Sequence, residues 1–333
     1  MAVSLHPGVS PSRAVVEADA AADAVHGFGV DIDATLDWCR AVAPLVTGDV
    51  PVGTRWELLA ATAARDVTAA RILEPHLDAL DILAAAGVDD SPVDATWGVF
   101  AAEGPGVRLE ARETDDGWLL SGTKPWCSLA AHLTHALVTA HVDGGRRLFA
   151  VSLQSAAVHP HEGPWVARGL ADVVSAPVDF DDAPAVPVGE TGWYLSRPGF
   201  ALGGIGVAAC WWGGALGLLP ALRTAALREN ADQLALVHLG RADAALWAAR
   251  ASLAEAAALA DDVTPLLAAR VRSIVADAAE LVLREVDHAL GPLPLVADDA
   301  HARRVADLHL YLRQHHGERD VAKIGRDLAE ARP

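Results

Sequence analysis

The chain is 333 residues long, 52% hydrophobic and 21% charged, with a formal net charge of −18. Such a composition can bury a sizeable core and excludes a disordered chain, and the length allows one large domain or two to three smaller ones. The acidic balance argues against a general affinity for nucleic acid or anionic membrane, whose phosphates demand a basic face.

The first twenty residues lack the basic-then-apolar layout of a signal peptide. Cys39, Cys127 and Cys210 lie far apart and form no C-x-x-C pattern. They offer neither a disulfide framework nor a zinc site and suit a reducing compartment, so a soluble cytoplasmic protein is expected.

Residues 12 to about 88 carry a helical period. Val67, Ile72, Leu73, Leu77, Leu80 and Leu83 recur at a spacing of three to four, and the pattern stops at Gly87. Asp89, Asp90, Ser91 and Pro92 then punctuate the chain. From about 95 to 190 the period becomes two. Val107, Leu109 and Ala111 alternate with polar neighbours, turn at Asp115–Gly117 and resume at Trp118; a second strand pair flanks Asp143-Gly144-Gly145. "SAPVDFDDAPAVPVG" reads as the closing strand of a small antiparallel barrel or sandwich. Asp179, Asp181 and Asp182 within it read as a solvated strand edge rather than a metal cluster.

Helical periodicity returns near 198, predicting helices over 201–229, 231–260, 264–290 and 300–314 and a short one after Gly317. Long Ala/Leu-rich helices with short breaks predict a bundle. The apolar stretch near 200–222, with its glycines and the Trp211-Trp212 pair, is expected to be a buried helix rather than a membrane span. Its "GGIG" is no phosphate loop, because no strand precedes it. Small residues there fit a close helix or flavin approach. The expected divisions are 1–92 helical, 93–192 β and 193–333 a four-helix bundle, an α+β fold.

One stretch stands out chemically. "SGTKPWCS", Ser121 to Ser128, holds Lys124, one of two lysines in a chain whose other 24 basic residues are arginine. With its flanking strands it resembles the "G-x-K-x-W-I-[ST]" segment of the acyl-CoA dehydrogenase family. "WVARGLADVVSAPVDFDDAPAVPVG" and "GFALGGIGVAACWWGGALG" are similar to that family's closing strand and first bundle helix. The resemblance covers roughly residues 55–330. It implies FAD, with Trp126 against the isoalloxazine ring and Ser128 near its N5/O4 edge, beside Cys127. It also implies cofactor contacts from Ala101, Ala102, Gly106, Arg228 and Gly291, and a homodimer or homotetramer. A flavin needs a flat apolar wall and a few aimed donors, which these residue types supply.

The departures weigh equally. The family's Thr on the flavin-contacting strand is Ala102 here, and the diphosphate-binding "R-x-x-F-G" keeps Arg228 without Phe-Gly. The family's catalytic Glu falls in "LYLRQHHGERD", where a gapless alignment puts His315 and a glycine-matched one puts His316. Histidine suits proton abstraction near neutral pH, and a His pair without a third ligand makes no metal site. Three functions follow in order. The first is α,β-dehydrogenation of an acyl-CoA or other acyl thioester with a histidine base. The second is an oxygen-using monooxygenase on the same fold, supplied with reduced flavin. The third is a flavin-free, non-catalytic partner subunit. No G-x-S-x-G supports a hydrolase.

Overall fold

A computed structural model describes residues 3–88, 92, 94–197 and 199–330. Four helices open the chain: α1 (Arg13–Asp23), α2 (Ile32–Val42), α3 (Val52–Arg65) and α4 (Val67–Ala85). Asp66 ends α3 and caps α4, its carboxylate accepting the Ala69 N–H at 2.8 Å. A capping carboxylate satisfies an amide that the helix itself cannot. The turn expected at Asp89, Asp90 and Ser91 lies outside the described residues.

Seven strands follow: β1 (Trp97–Phe100), β2 (Leu109–Thr114), β3 (Gly117–Ser128), β4 (His135–Val142), β5 (Gly145–Ser152), β6 (Val158–Pro160) and β7 (Ser175–Val188). Both predicted hairpins form, β2 to β3 across Asp115-Asp116 and β4 to β5 across Asp143-Gly144. The order β4-β2-β3-β7-β5 closes on itself through β4–β5, which makes a barrel. Its pairing is not wholly antiparallel. β1 runs parallel to β4, and a single parallel bridge, Glu110 to His141, joins β2 to β4. The aspartates of β7 are hydrogen-bonded at the strand edge: Asp179 to Thr123 and His161, Asp182 to Ser121 and Arg112.

The remaining chain is helical: α5 (Trp193–Ser196), α6 (Gly199–Leu216), α7 (Leu219–Ala226), α8 (Gln233–Leu259), α9 (Pro265–Leu290), α10 (Leu293–Ala297), α11 (Asp299–Tyr311) and α12 (Glu318–Glu330). The helix expected over 201–229 breaks before Pro220, whose missing N–H suits a helix start. "GPLPL", expected as a break, holds the short α10.

α6 is the centre. It packs on α3, α4 and α9, and both Trp211 and Trp212 are core residues. The stretch Gly199–Ala226 is apolar enough to cross a membrane, yet 67% of its window is buried inside the fold. Its glycines serve close helix approach. A Cβ on Gly213 would lie 2.1 Å from the Ala60 carbonyl oxygen of α3, and one on Gly217 would lie 2.7 Å from that of Ala64.

Candidate active site

A cavity of about 510 Å³ opens between α4, the start of α6, α9 and the segment joining α11 to α12. Its apolar wall is built from small side chains, Ala201, Val207, Ala268 and Ala269 among them. Its polar wall gathers groups from distant parts of the sequence: Glu74 and Asp78 of α4, Arg197, Arg272 of α9, and His315 and His316. A concave, mostly apolar space with a few converging polar groups is the usual form of a small-molecule site. A second cavity of about 350 Å³ lies on the other side of the same α4 face and shares Glu74, Asp78, Arg197 and Gly203 with the first.

The two histidines have different surroundings. After Tyr311 the chain makes a tight turn over Leu312–Gln314, and His315 then adopts an extended conformation. That turn drives His315 inward to 8% exposure, where Nε2 lies 3.1 Å from Ser273 Oγ. Burial, together with the Arg272 charge, holds the His315 imidazole below its usual range against the pull of Asp320. His315 is therefore neutral at pH 7 and able to accept a proton. His316 points to the exposed rim, with Nδ1 3.3 Å from Asp320 Oδ1 and its own N–H donated to Asp320 Oδ2.

The other charged groups line up on α4. Arg71, Glu74, Asp78 and Asp81 are spaced so that they share one face of a helix otherwise mostly made of Ala, Leu and Ile. Asp78 is ion-paired to Arg197 at 3.0 Å, and Asp81 to Arg55. Burial and the neighbouring Asp78 charge push the Glu74 carboxyl up to about 7, only partly offset by Arg71 and Arg272. The Arg197 guanidinium stands 5.1 and 5.6 Å from the centroids of the Tyr194 and Phe200 rings, which meet each other edge-on. None of these charged residues was singled out by sequence. A usable signal existed: carboxylates at i, i+4 and i+7 on an otherwise largely apolar helix.

The loop residues lie at the end of β3. Trp126 has φ of 60° and is 60% exposed, an unusual state for a bulky aromatic. Cys127 is buried, and its thiol is an inert one. The Ser128 hydroxyl is engaged, accepting from Arg71 Nη2 at 2.8 Å and sharing a hydrogen bond with Ser175 at 2.7 Å. Contacts continue from there to the cavity. The Arg71 guanidinium stands 5.8 Å from the Tyr311 ring, Tyr311 meets Trp211 edge-on, and Trp211 meets His315 edge-on.

Ala101 is half-buried and Ala102 exposed in the segment after β1, and Gly106 turns there at φ 76° with open space around it. Ala101 also lines a small space with Tyr194, a residue of the main cavity wall. Lys124 is fully buried. Its ammonium donates to Glu103 at 2.8 Å and to Thr139 at 2.9 Å, tying the Ala101–Gly106 segment to the barrel. Arg228 is exposed in the turn after α7, and Gly291 ends α9 at φ 64° with nothing near its Cβ position. Neither is brought near the cavity wall. No group of metal-ligating side chains forms among the described residues.

No family model matches the chain, and no curated protein matches it. Solved structures share its fold over nearly their whole length. A dibenzothiophene monooxygenase, TdsC, from Paenibacillus sp. A11-2 is 18% identical with a TM-score of 0.77, over 97% of this chain and 98% of that one. KijD3, solved with FMN and dTDP-3-amino-2,3,6-trideoxy-4-keto-3-methyl-D-glucose, is 18% identical with a TM-score of 0.77, over 100% and 97%. A nitrososynthase from Micromonospora carbonacea var. africana is 19% identical with a TM-score of 0.78, over 100% of both chains. At these identities the likeness is one of fold, the helix–barrel–helix order expected from the sequence.

Proposed function

We propose that the protein is a flavin-dependent monooxygenase, supplied with reduced flavin and using dioxygen on a small substrate held in the 510 Å³ cavity. The observation that carries this reading is the cavity wall: a buried, neutral histidine faces an apolar chamber at the position where the acyl-CoA dehydrogenase resemblance would put a carboxylate. The fold supports it, since its relatives include a monooxygenase, a nitrososynthase and complexes with FMN.

Trp126 fits a planar ring. It is an exposed indole held rigidly at a strand end, and such an unpartnered aromatic stacks well on another π-system. A bound reduced flavin would supply two electrons and two hydrogens, one oxygen atom of O₂ entering the substrate and the other leaving as water. The chain's own residues do the rest. Arg71 holds the Ser128 hydroxyl, which with Trp126 would contact a bound flavin, Ala101 and Ala102 would leave room for it, and His315 would take or return a proton at the cavity wall. FMN suits the site better than FAD, because the segment carrying Arg228 lacks the Phe-Gly that would grip a diphosphate. An assembly of two or four chains belongs to this reading, since α8 leaves Leu234, Leu236, Val237 and Trp247 in solvent. So does a cytoplasmic setting, which suits three buried, unpaired thiols.

One observation favours a second reading, dehydrogenation of an acyl thioester. Glu74 is a carboxyl in the same chamber with a pKa raised to about 7, the property a base for an α-proton needs. The deciding experiment mixes the protein with FMN or FAD, desalts it and records the visible spectrum, then supplies reduced flavin and follows oxygen. Substrate-dependent oxygen uptake supports the monooxygenase. Anaerobic bleaching by acyl thioesters, without oxygen uptake, supports the dehydrogenase. A protein that takes up neither oxidised nor reduced flavin refutes both and leaves the flavin-free partner.

A further inference from the structure

Most charged groups around the main cavity are answered by the protein itself. Arg197 holds Asp78 through Nη2, although its Nε and Nη1 are left without partners, and Arg272 donates to the carbonyls of Gly204 and Gln314 at 2.5 and 3.3 Å. Asp320 is held by His316, and His315 rests on Ser273. Glu74 is different. Its carboxyl lines both cavities, and no hydrogen bond or ion pair reaches it among the described residues. Arg71, one turn earlier and near in charge, spends its donor on Ser128 instead.

A carboxyl facing an apolar chamber is incomplete until something donates to it. The charges around that chamber also limit what the donor is attached to. With Glu74 ionised, as it is above about pH 7, Glu74, Asp78 and Asp320 are matched by Arg197, Arg272 and Lys323, and His315 is neutral, so the lining is then balanced. A charged ligand would unbalance it. The geometry points to an uncharged ligand with an apolar body and an N–H or O–H donor, received by Glu74. The class is that of N-heterocycles, arylamines and phenols. This deepens the site reading given under Proposed function and rests on that reading for the reaction, though not for binding.

The test is direct binding at pH 8.5, where Glu74 is ionised, to the full chain without added flavin, comparing indole with benzothiophene. The two share a shape, but only indole carries an N–H. A hydrogen bond to a charged acceptor contributes about 1.5 kcal/mol or more, which is about tenfold in affinity. Wild type should bind indole about tenfold more tightly than benzothiophene, Glu74→Gln should narrow the gap, and Glu74→Leu should bring the two within about twofold. Equal binding by wild type, a gap that persists in Glu74→Leu, or no binding of either probe at millimolar concentration overturns the inference. If Glu74→Leu does not fold, a gap undiminished in Glu74→Gln overturns it equally. The two readings fail separately: a protein that takes no flavin but discriminates the probes loses its proposed reaction and keeps its ligand class.

Discussion

The first turns of α6 line the main cavity, the same helix packs closely on α3 farther along, and one substitution tests that closeness. In Gly213→Ala the new Cβ would meet the Ala60 carbonyl oxygen at 2.1 Å and the Ala60 Cα at 2.6 Å. Ordinary van der Waals contact begins near 3.4 Å, so the two helices must part by about 1 Å. Both partners are backbone atoms and have no rotamer to turn. Overpacking of this kind costs about 3 kcal/mol, and the better helix propensity of alanine returns about 1. The net loss is about 2 kcal/mol. Gly240→Ala is the control, because that glycine sits mid-helix in α8 with nothing within 4 Å of its Cβ position. The same chemical change there should stabilise by about 0.5–1 kcal/mol. Thermal melts followed by circular dichroism should show Gly213→Ala falling by about 4 °C and Gly240→Ala rising by 1–2 °C or so. A Gly213→Ala protein melting at or above wild type would refute the α3–α6 packing.

Trp126→Gly should leave stability unchanged or raise it by up to about 1 kcal/mol, since glycine accepts φ of 60° without strain. It should weaken flavin binding about tenfold for lack of a stacking surface, measured by flavin fluorescence titration. Asp307→Ala should destabilise by about 2–3 kcal/mol by urea titration, because the buried carboxylate receives the Leu170 N–H at 2.5 Å and the Thr68 hydroxyl at 3.1 Å. Asp307→Asn, which keeps one acceptor, should cost less. Glu74→Gln should change the pH profile of stability. The wild-type carboxyl is raised from 4.5 to about 7. Its contribution is fully present below pH 4.5 and is lost as pH climbs through 7, so wild type should fall relative to Glu74→Gln by at most about 3 kcal/mol across that window.

The architecture was legible because each region carried its own period. Alternation over Val107–Ala111 and the turn residues at Asp115–Gly117 and Gly144 located the hairpins, and the apolar repeat from Val67 to Leu83 located α4. The same repeat concealed the site. Reading α4 for its buried stripe draws the eye to Leu73 and Leu77 and passes over Glu74 and Asp78, whose meaning depends on Arg197 and Arg272 arriving from far along the chain. Nothing local to α4 announces that pairing. The choice between His315 and His316 was likewise open to alignment. It turns on a tight turn followed by one extended residue, which sends neighbouring side chains to opposite sides, and no helical or gapless register encodes that.

Lys124 shows why a chain that otherwise prefers arginine departs from it once in its barrel. The side chain is 1% exposed, and its ammonium must satisfy Glu103 and Thr139 from inside the space between β3 and β4. A guanidinium carries five donors in a rigid fork, and burying it there would leave several without acceptors. An ammonium has three donors at the end of a straight stem and loses far less. Where donors reach carbonyls, rims or solvent, the fork is an advantage, and the structure uses it. Arg304 donates to the carbonyls of Ala63 and Arg65, Arg55 to that of Val46 and to Asp81, and Arg272 to those of Gly204 and Gln314. Glu103, more exposed than its partner, also meets Arg146 and His141 at 3.3 Å. Burial would raise its carboxyl, but the Lys124 hydrogen bond and charge hold it below the usual range. The lysine is therefore a structural strut: it ties the segment carrying Ala101 and Ala102 to the strand that carries Trp126.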